Sequence, residues 1–438
     1  MSTLSEPPVV AVKPAEPAAA QRLMSVDALR GFDMFWIIGA DSLVAALHRM
    51  SQNRPTQLLA NQLSHAEWEG FHFYDLIFPL FVFISGVSLV FSLRKAVEAA
   101  GPAAAFWRVL RRGVLLFLVG ILYSGGFTSE WPDMRLMGVL NRIALAYTFA
   151  GLLFCVFKPR TLAAVLFGIL IGYWALMSFV PIRDIQLTKG GLAQAAEKAG
   201  DPTTAALFQE GGNPSTVKNS PMWAAAEKVY YATTNTVTGK FGPGYNLSDH
   251  ADFRCLPGKK YDQFYDPEGI VSTLPAIATC LLGVFAGLLL RNSNVPDTRK
   301  LAHLVGWGLA AVALGWIWDA VQFPVIKKIW TSSYVLVAGG YSALLLAGFY
   351  FVVDMCKMRA WCQPFVWMGM NSITIYLASN LLGSFRRPAA RFVGGDIRRF
   401  FEEHVALGAG DMVISIVGLL LAFWFVRFLY NRKIFLRL

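Results

Sequence analysis

Residues 64–89 read SHAEWEGFHFYDLIFPLFVFISGVSL. The segment up to Asp75 is rich in polar side chains, and an almost wholly apolar run begins at Leu76. That run is typical of a helix that enters a bilayer. A polar cluster at the end of such a helix can meet water-soluble ligands while it lies against a medium of low dielectric constant. We therefore expect the chemistry of this protein at this junction, with His65 as the reacting side chain.

The whole chain has the composition of a membrane protein. Of its 438 residues, 55% are hydrophobic and only 15% are charged, whereas soluble domains carry roughly 25% charged residues. Apolar stretches of about 20 residues, the length that crosses a bilayer as a helix, recur along the chain. We predict an all-α fold, a polytopic membrane helical bundle of about ten transmembrane helices. The predicted spans cover residues 30–47, 73–93, 106–123, 139–157, 162–180, 270–290, 303–321, 334–353, 365–382 and 412–429.

Two polar segments lie outside this bundle. Residues 1–21 are rich in Ala, Pro, Glu and Val without periodicity, so we expect a disordered cytoplasmic tail. Residues 181–268 form a loop between spans five and six that is far longer than a connection needs, which predicts a functional or lid-like element. Within it, residues 191–199 and 222–231 are candidates for short surface helices. We predict that residues 22–438, with the loop 181–268 included, form one transmembrane domain.

The basic residues indicate an orientation. Lys and Arg concentrate in the turns after spans two, four, six and eight and at the end of the chain. These positions share one side if the N-terminus is cytoplasmic. Two groups disagree, namely Lys327 with Lys328 and the arginines from Arg386 to Arg399. We follow the majority and predict that both termini are cytoplasmic, with His65 and residues 181–268 outside.

Several other functions find no support in the sequence. The formal net charge of +11 comes from turns that obey the positive-inside rule, and no basic run is interleaved with aromatics, so we predict no nucleic-acid partner. The five cysteines contain no CxxC pair, which indicates neither a cysteine metal site nor a disulfide in the loop. His65 and His72 lie two helical turns apart without a third ligand, so we predict no metal.

Charged residues inside spans usually mark function or a buried pair. Asp27, Arg30 and Asp33 are three residues apart and share a helix face, so they fit either an ion pair or a ligand site. Asp41 lies near the outer end of the same predicted span. Its nearest basic neighbour on that helix is His48, almost two turns away. A functional role is therefore favoured for Asp41.

Further polar residues lie at the ends of other spans. Asp75 could cap or bridge helices or bind substrate, and Arg142 could hold a ligand or the neighbouring carboxylates. Asp266, followed by Pro267 and Glu268, predicts a helix start, with Asp266 as the N-cap. Asn371 has a structural alternative, because amide side chains hydrogen-bond between membrane helices.

The chain resembles the transmembrane acyltransferase family typified by heparan-α-glucosaminide N-acetyltransferase. Short motifs in the family's order carry this resemblance from Ser25 to Tyr376. The motifs are SVDALRG at 25–31, HAEWEG at 65–70, DLIFPLFVFISG at 75–86, GVLNRIALAY at 138–147, DPEG at 266–269, the segment 324–334 with Lys328, Trp330 and Ser333, and GMNS at 369–372 with Tyr376.

The resemblance implies a polytopic, often dimeric acyltransferase that moves acetyl from cytosolic acetyl-CoA to an amino sugar on the far side. His65 matches the family's catalytic histidine. Asp41 matches a position that is Asn in the animal enzyme. Many relatives carry His-Glu shortly after the Tyr376 position, where this chain has Ser379 and Asn380. Residues 22–438 thus resemble a short bacterial form, which implies the inner membrane, a glucosamine-type acceptor and a homodimer as a further expectation.

This family resemblance leads to a mechanistic hypothesis. His65 acts as a general base on the acceptor amine or carries the acetyl group itself, and Asp41 orients the imidazole or the amine. The residues assigned to substrate binding are Trp68, Asp75, Arg142, Glu268, Asn371 and Tyr376. The residues assigned to the CoA phosphates are Arg30, Arg111 and Arg112. The alternative is a transporter of glucosamine or N-acetylglucosamine without acyl transfer, for which inverted repeats would be expected.

Overall fold

The computed structural model describes residues 23–126, 128, 130, 133–209 and 220–436. The predicted tail at 1–21 lies outside this range. The described chain is helical almost throughout, with a single two-stranded pairing of Ile182–Arg183 with Thr236–Val237. The all-α prediction is confirmed.

The helices are labelled in chain order. They are α1 Met24–Phe35, α2 Asp41–Met50, α3 Arg54–Gln62, α4 Phe73–Tyr123, α5 Val139–Val156, α6 Pro159–Phe179, α7 Lys189–Lys198, α8 Pro202–Gln209, α9 Pro221–Ala232, α10 Leu247–Cys255, α11 Thr273–Arg291, α12 Asp297–Val321, α13 Ser332–Phe349, α14 Gln363–Met370, α15 Ser372–Leu382, α16 Arg386–Val393, α17 Asp396–His404 and α18 Ala409–Asn431. The strands are β1 Ile182–Arg183 and β2 Thr236–Val237.

Within the described residues, seven helical segments are long and apolar enough to cross a membrane, and they coincide with seven of the ten predicted spans. The other three predicted spans are not separate long apolar helices. The first is interrupted by a π-helical turn, Trp36–Ala40, between α1 and α2. The third is the second limb of the 51-residue helix α4, beyond a bend at Gly101. The ninth is divided at Asn371 into α14 and α15.

Glycines set the closest approaches between the membrane helices. A Cβ atom on Gly86 of α4 would lie 2.0 Å from the Cys280 carbonyl oxygen, and one on Gly283 of α11 would lie 1.9 Å from the Phe83 carbonyl oxygen. These reciprocal contacts leave no room for a side chain, so α4 and α11 pack backbone to backbone. Small residues are the usual means of bringing membrane helices this close.

The described residues of the segment 181–268, namely 181–209 and 220–268, are here called the cap and form a small helical unit with an apolar core of their own. Trp223 of α9 is 1% exposed and stacks on Phe253 of α10 at a centroid distance of 4.8 Å. The Lys260 ammonium lies 4.4 Å from the centre of the Trp223 ring. The predicted helices at 191–199 and 222–231 correspond to α7 and α9, so that prediction is confirmed.

The predicted helix start at Asp266 is wrong. Helix α11 begins at Thr273, and Asp266 lies in the preceding turn. Its carboxylate accepts two hydrogen bonds from the Arg135 guanidinium, at 2.9 and 2.8 Å, and Glu268 accepts a third at 2.6 Å. The carboxylates therefore bind a partly buried cation instead of free helical N–H groups. Such bidentate pairs are stronger than a neutral cap.

Candidate active site

A cavity of about 280 Å³ lies beside the start of α4. Its apolar wall comes mainly from α1, α4, α5 and α15. Polar side chains reach it from these helices and from the segments that precede α4, α11 and α13. These side chains are His65, Tyr74, Glu268, Lys327, Ser372 and Tyr376.

His65 is held at the mouth of this cavity by Asp75. The Asp75 carboxylate is buried at the first turn of α4 and lies 2.8 Å from His65 Nδ1, while the imidazole is 55% exposed. The other carboxylate oxygen accepts the backbone N–H groups of Ala66 and His72, both at 3.1 Å. One carboxylate therefore folds the segment 65–72 back over the helix start and orients the ring. Nε2 of His65 has no hydrogen-bond partner among the described residues.

Lys327 is the third member of this cluster. Its ammonium lies 2.9 Å from His65 Nδ1 and 3.1 Å from Asp75 Oδ1. The segment that carries it docks on the His65 segment through a hydrogen bond from Gly70 N to Val325 O at 2.9 Å. Burial lowers the pKa of Lys327, although the Asp75 carboxylate opposes this effect. The sequence assigned no site role to Lys327, but its disagreement with the positive-inside rule was the signal that could have identified it.

Asp41 reaches His65 only through another residue. Its carboxylate lies beside the hydroxyl of Tyr74, and the Tyr74 ring packs against the His65 imidazole at a centroid distance of 4.8 Å. Asp41 is not part of the cavity wall. The carboxylate that contacts the imidazole is therefore Asp75, which we had assigned to substrate binding, while Asp41 occupies the next layer.

Glu268 and Tyr376 are the predicted substrate residues that reach the cavity wall. Burial and the neighbouring Asp266 carboxylate raise the pKa of Glu268, and the guanidinium groups of Arg142 and Arg135 oppose that rise. The Tyr376 ring lies parallel to Tyr123 at a centroid distance of 4.5 Å. The cavity thus combines a largely buried carboxyl group with an aromatic ring that is stacked on a second one.

Arg142 and Asn371 lie outside the cavity wall. Arg142 is fully buried, donates to Ser272 Oγ and stacks 4.9 Å from the centre of the Trp330 ring. Asn371 is 2% exposed at the break between α14 and α15, and its amide donates to Trp367 O at 3.2 Å. Both residues support helices that line the cavity. Their predicted contact with substrate remains a prediction.

Trp68 joins the cap to the bundle. Its indole N–H donates to the carbonyl of Phe241 at 2.7 Å, and Lys328 lies 5.9 Å from its ring centre. The structure places Trp68 on the His65 segment but on the side that faces the cap. It is absent from the cavity wall.

The three arginines assigned to CoA are absent from the cavity wall. Arg30 donates to Ser88 on α4, thirteen residues beyond Asp75, which corresponds to about 20 Å along a helix. Arg112 stacks on Tyr147 with a distance of 4.8 Å to the ring centre, and Arg111 is exposed. The structure does not bring these arginines into the cavity. Within the described residues, no group of three or more His, Cys, Asp or Glu side chains is arranged to hold a metal ion.

Parts of this chain are similar to known proteins. Residues 22–198 match a family model described as "Heparan-alpha-glucosaminide N-acetyltransferase, catalytic". The human protein named heparan-alpha-glucosaminide N-acetyltransferase is 26% identical over 361 residues, which is 73% of this chain and 49% of that protein. Its mouse counterpart is 25% identical over 368 residues, with the same two shares. The chain thus spans about half the length of the curated relatives it matches. These matches confirm the family resemblance.

Proposed function

We propose that this protein is a membrane-embedded acetyltransferase of the heparan-alpha-glucosaminide N-acetyltransferase type. Its sequence motifs and its similarity to proteins of that name support the proposal. The protein moves acetyl from cytosolic acetyl-CoA to the amine of a glucosamine-type sugar at the extracytoplasmic side. The observation that carries the proposal is the His65–Asp75 pair at the cavity mouth. Asp75 holds one ring nitrogen at 2.8 Å, and the other has no hydrogen-bond partner among the residues that the structure describes.

In the direct route, His65 Nε2 takes a proton from the acceptor amine while the amine nitrogen attacks the thioester carbonyl. The new C–N bond forms, the C–S bond breaks, and CoA leaves as a thiolate that accepts a proton. Histidine suits this work because the neutral ring accepts a proton at ordinary pH. A positioned general base contributes roughly 10²–10⁴-fold in rate.

In the covalent route, Nε2 attacks the thioester itself and CoA thiolate leaves, which gives acetyl-His65. The acceptor amine then attacks the acetyl carbonyl and displaces the imidazole, and the proton that the amine loses balances the one that the CoA thiolate takes up. The geometry at Nδ1 serves both routes, because each needs Nε2 without a hydrogen. Rapid-quench mass spectrometry with acetyl-CoA and no acceptor separates them. An acetylated His65 peptide is expected for the covalent route, and an unmodified peptide for the direct one.

Glu268 and Tyr376 bind the acceptor in this proposal. A carboxyl group accepts hydrogen bonds from sugar hydroxyls, and an aromatic face packs on the apolar side of a sugar ring. The cavity volume of about 280 Å³ is at the lower end of ligand sites. It therefore suits one terminal sugar and an acetyl group better than several sugar units.

The roles of the other predicted residues are also proposals. Arg142, Asn371 and Trp68 support the walls or contact the sugar, and Arg30, Arg111 and Arg112 bind the CoA phosphates at the other end of the bundle. That placement requires the thioester end of CoA to reach His65 through the bundle. We further propose a homodimer in a bacterial inner membrane with both termini cytoplasmic, as the basic turns indicate.

The test uses the purified chain in proteoliposomes with acetyl-CoA and glucosamine. His65→Gln is expected to lower acetyl transfer by about 10²–10⁴-fold. His72→Gln is the matched control, because His72 lies on the same segment but its Nδ1 faces Ser64 O at 3.0 Å and it is not part of the cavity wall. Full transfer by His65→Gln would overturn the proposal. Uptake of labelled sugar without acetyl-CoA, unchanged by His65→Gln, would favour the transporter.

A further inference from the structure

Nδ1 of His65 has two neighbours that make opposite demands. The Asp75 carboxylate, at 2.8 Å, can only accept a hydrogen bond, so it needs a hydrogen on Nδ1. The Lys327 ammonium, at 2.9 Å, can only donate, so it needs a lone pair on Nδ1. A neutral imidazole carries one hydrogen, and that hydrogen is on one nitrogen or the other. The two contacts therefore cannot both be hydrogen bonds in one state of the ring.

We propose that Lys327 is a positioning residue whose charge selects the tautomer of His65. When Lys327 is an ammonium ion, it donates to Nδ1, and the ring hydrogen stays on Nε2. When Lys327 is a neutral amine, Nδ1–H donates to Asp75, and Nε2 has a free lone pair. The change between the states releases one proton from Lys327 to water. The ring exchanges its Nε2 hydrogen for one on Nδ1 and stays neutral.

This inference rests on the proposed function, because the free Nε2 is the atom that takes the proton or the acetyl group. It also explains why a lysine stands at this position despite the positive-inside rule. A permanent cation beside Nδ1 would keep the base occupied, whereas an amine that can lose its proton makes Nε2 available.

The surroundings of Lys327 favour loss of that proton. The charged and titratable groups that face it are His65 and Asp75, Glu268 from the segment before α11, and its neighbour Lys328. Burial lowers the pKa of Lys327, and Lys328 adds to this effect, while Asp75 and Glu268 oppose it. Below the pKa of Lys327 the unreactive tautomer dominates, and above it the reactive one. Transfer should therefore rise by up to about tenfold per pH unit until Lys327 has lost its proton.

Two variants separate this proposal from a purely structural role. Lys327→Arg keeps a cation that does not lose its proton, so transfer should fall by about 10²-fold at every pH. Lys327→Met removes the competing donor, so transfer should persist and lose its rise with pH. If Lys327 only neutralised Asp75, Lys327→Arg would keep the activity and Lys327→Met would abolish it. That result would overturn the proposal.

A second measurement does not depend on acetyl transfer. Protein labelled with ¹⁵N-histidine is compared by NMR in detergent micelles, and the His65 signals are those that vanish in His65→Gln. The Nε2-protonated form is expected in Lys327→Arg and the Nδ1-protonated form in Lys327→Met. Lys228→Met is the control, because Lys228 pairs with Asp201 at 2.7 Å in the cap and does not face Lys327, and it should leave the tautomer unchanged. One tautomer shared by both Lys327 variants would refute the inference. If both variants show the predicted tautomers but neither the natural chain nor Lys327→Met transfers acetyl, the proposed function is refuted instead.

Discussion

The cavity and the cap each contain a histidine, and the two histidines differ in what the fold leaves available. In the cap, His250 is 3% exposed and its Nε2 faces the Ile185 carbonyl at 3.1 Å. Burial lowers the pKa of His250 to about 4, so it stays neutral and serves packing. At the cavity, His65 is more than half exposed, and its charged neighbours hold one nitrogen only. Burial thus keeps His250 away from any ligand. At the open cavity, the contacts at Nδ1 hold the His65 ring and leave Nε2 accessible to a ligand.

The same contrast applies to the ion pairs. At the junction of cap and bundle, Arg135 makes three short hydrogen bonds to Asp266 and Glu268. At the cavity, Lys327 shares Asp75 with a histidine. The Arg135 guanidinium and its two carboxylates pair with one another, whereas Lys327 and His65 compete for the Asp75 carboxylate. The predictions below test this difference.

The largest expected effect is on the junction. Arg135→Gln leaves two buried carboxylates without their cation, which should lower the free energy of unfolding by about 3–5 kcal/mol. Thermal unfolding in detergent measures this loss. Lys228→Gln is the control, since Lys228 pairs with Asp201 through a side chain that is 69% exposed, and exposed pairs contribute about 0–1 kcal/mol. Equal losses in both variants would contradict the distinction.

The next effect concerns the two carboxylates near His65. Asp75→Asn keeps the shape of the side chain but removes the charge that holds Nδ1–H, so acetyl transfer should fall by about 10²–10⁴-fold. Asp41→Asn should cost much less, because Asp41 reaches the ring only through Tyr74. The initial rate of acetyl-glucosamine formation is the measurement, with the thermal midpoint as a control for folding. A larger loss in Asp41→Asn would assign the orienting role to Asp41 instead.

The sequence predicted a large part of this architecture, because hydropathy is a local property. Seven spans and two cap helices follow from runs of apolar residues and from helix formers. The junction at His65 was also visible, since a polar segment meets a span there. What the pattern missed is where a helix changes its geometry. The π-helical turn at Trp36–Ala40 shifts the face on which the following residues lie, so spacing along an ideal helix does not predict the neighbours of Asp41.

The site itself depends on contacts that local patterns do not contain. Asp75 meets His65 because the segment between them folds back on its N–H groups. Lys327 comes from 252 residues further along the chain than Asp75. The charge pattern did point to this contact, because Lys327 departs from the positive-inside rule under the predicted orientation. The arginine group from Arg386 to Arg399 has no such link to the cavity wall in the described residues.

The smallest expected effect is a pH dependence within the cap. Asp252 is fully buried, and desolvation raises its pKa from 3.8 to about 7. The folded cap therefore prefers the protonated carboxyl group. The stability that this group contributes is complete below pH 4 and is lost as the pH rises through about 7.

Asp252→Asn imitates the protonated form and keeps an acceptor for the Ile270 N–H, which Asp252 holds at 2.9 Å. The variant should match the natural chain at pH 4 and exceed it by about 1–3 kcal/mol at pH 8. Hydrogen exchange in peptides that cover α10 measures the difference, because those amides report opening of the cap. Acetyl transfer should stay unchanged at pH 7, since Asp252 is not in the cavity wall. A stability difference independent of pH would mean that Asp252 is ionised in the folded cap, and the cap would then hold a buried charge as the cavity does.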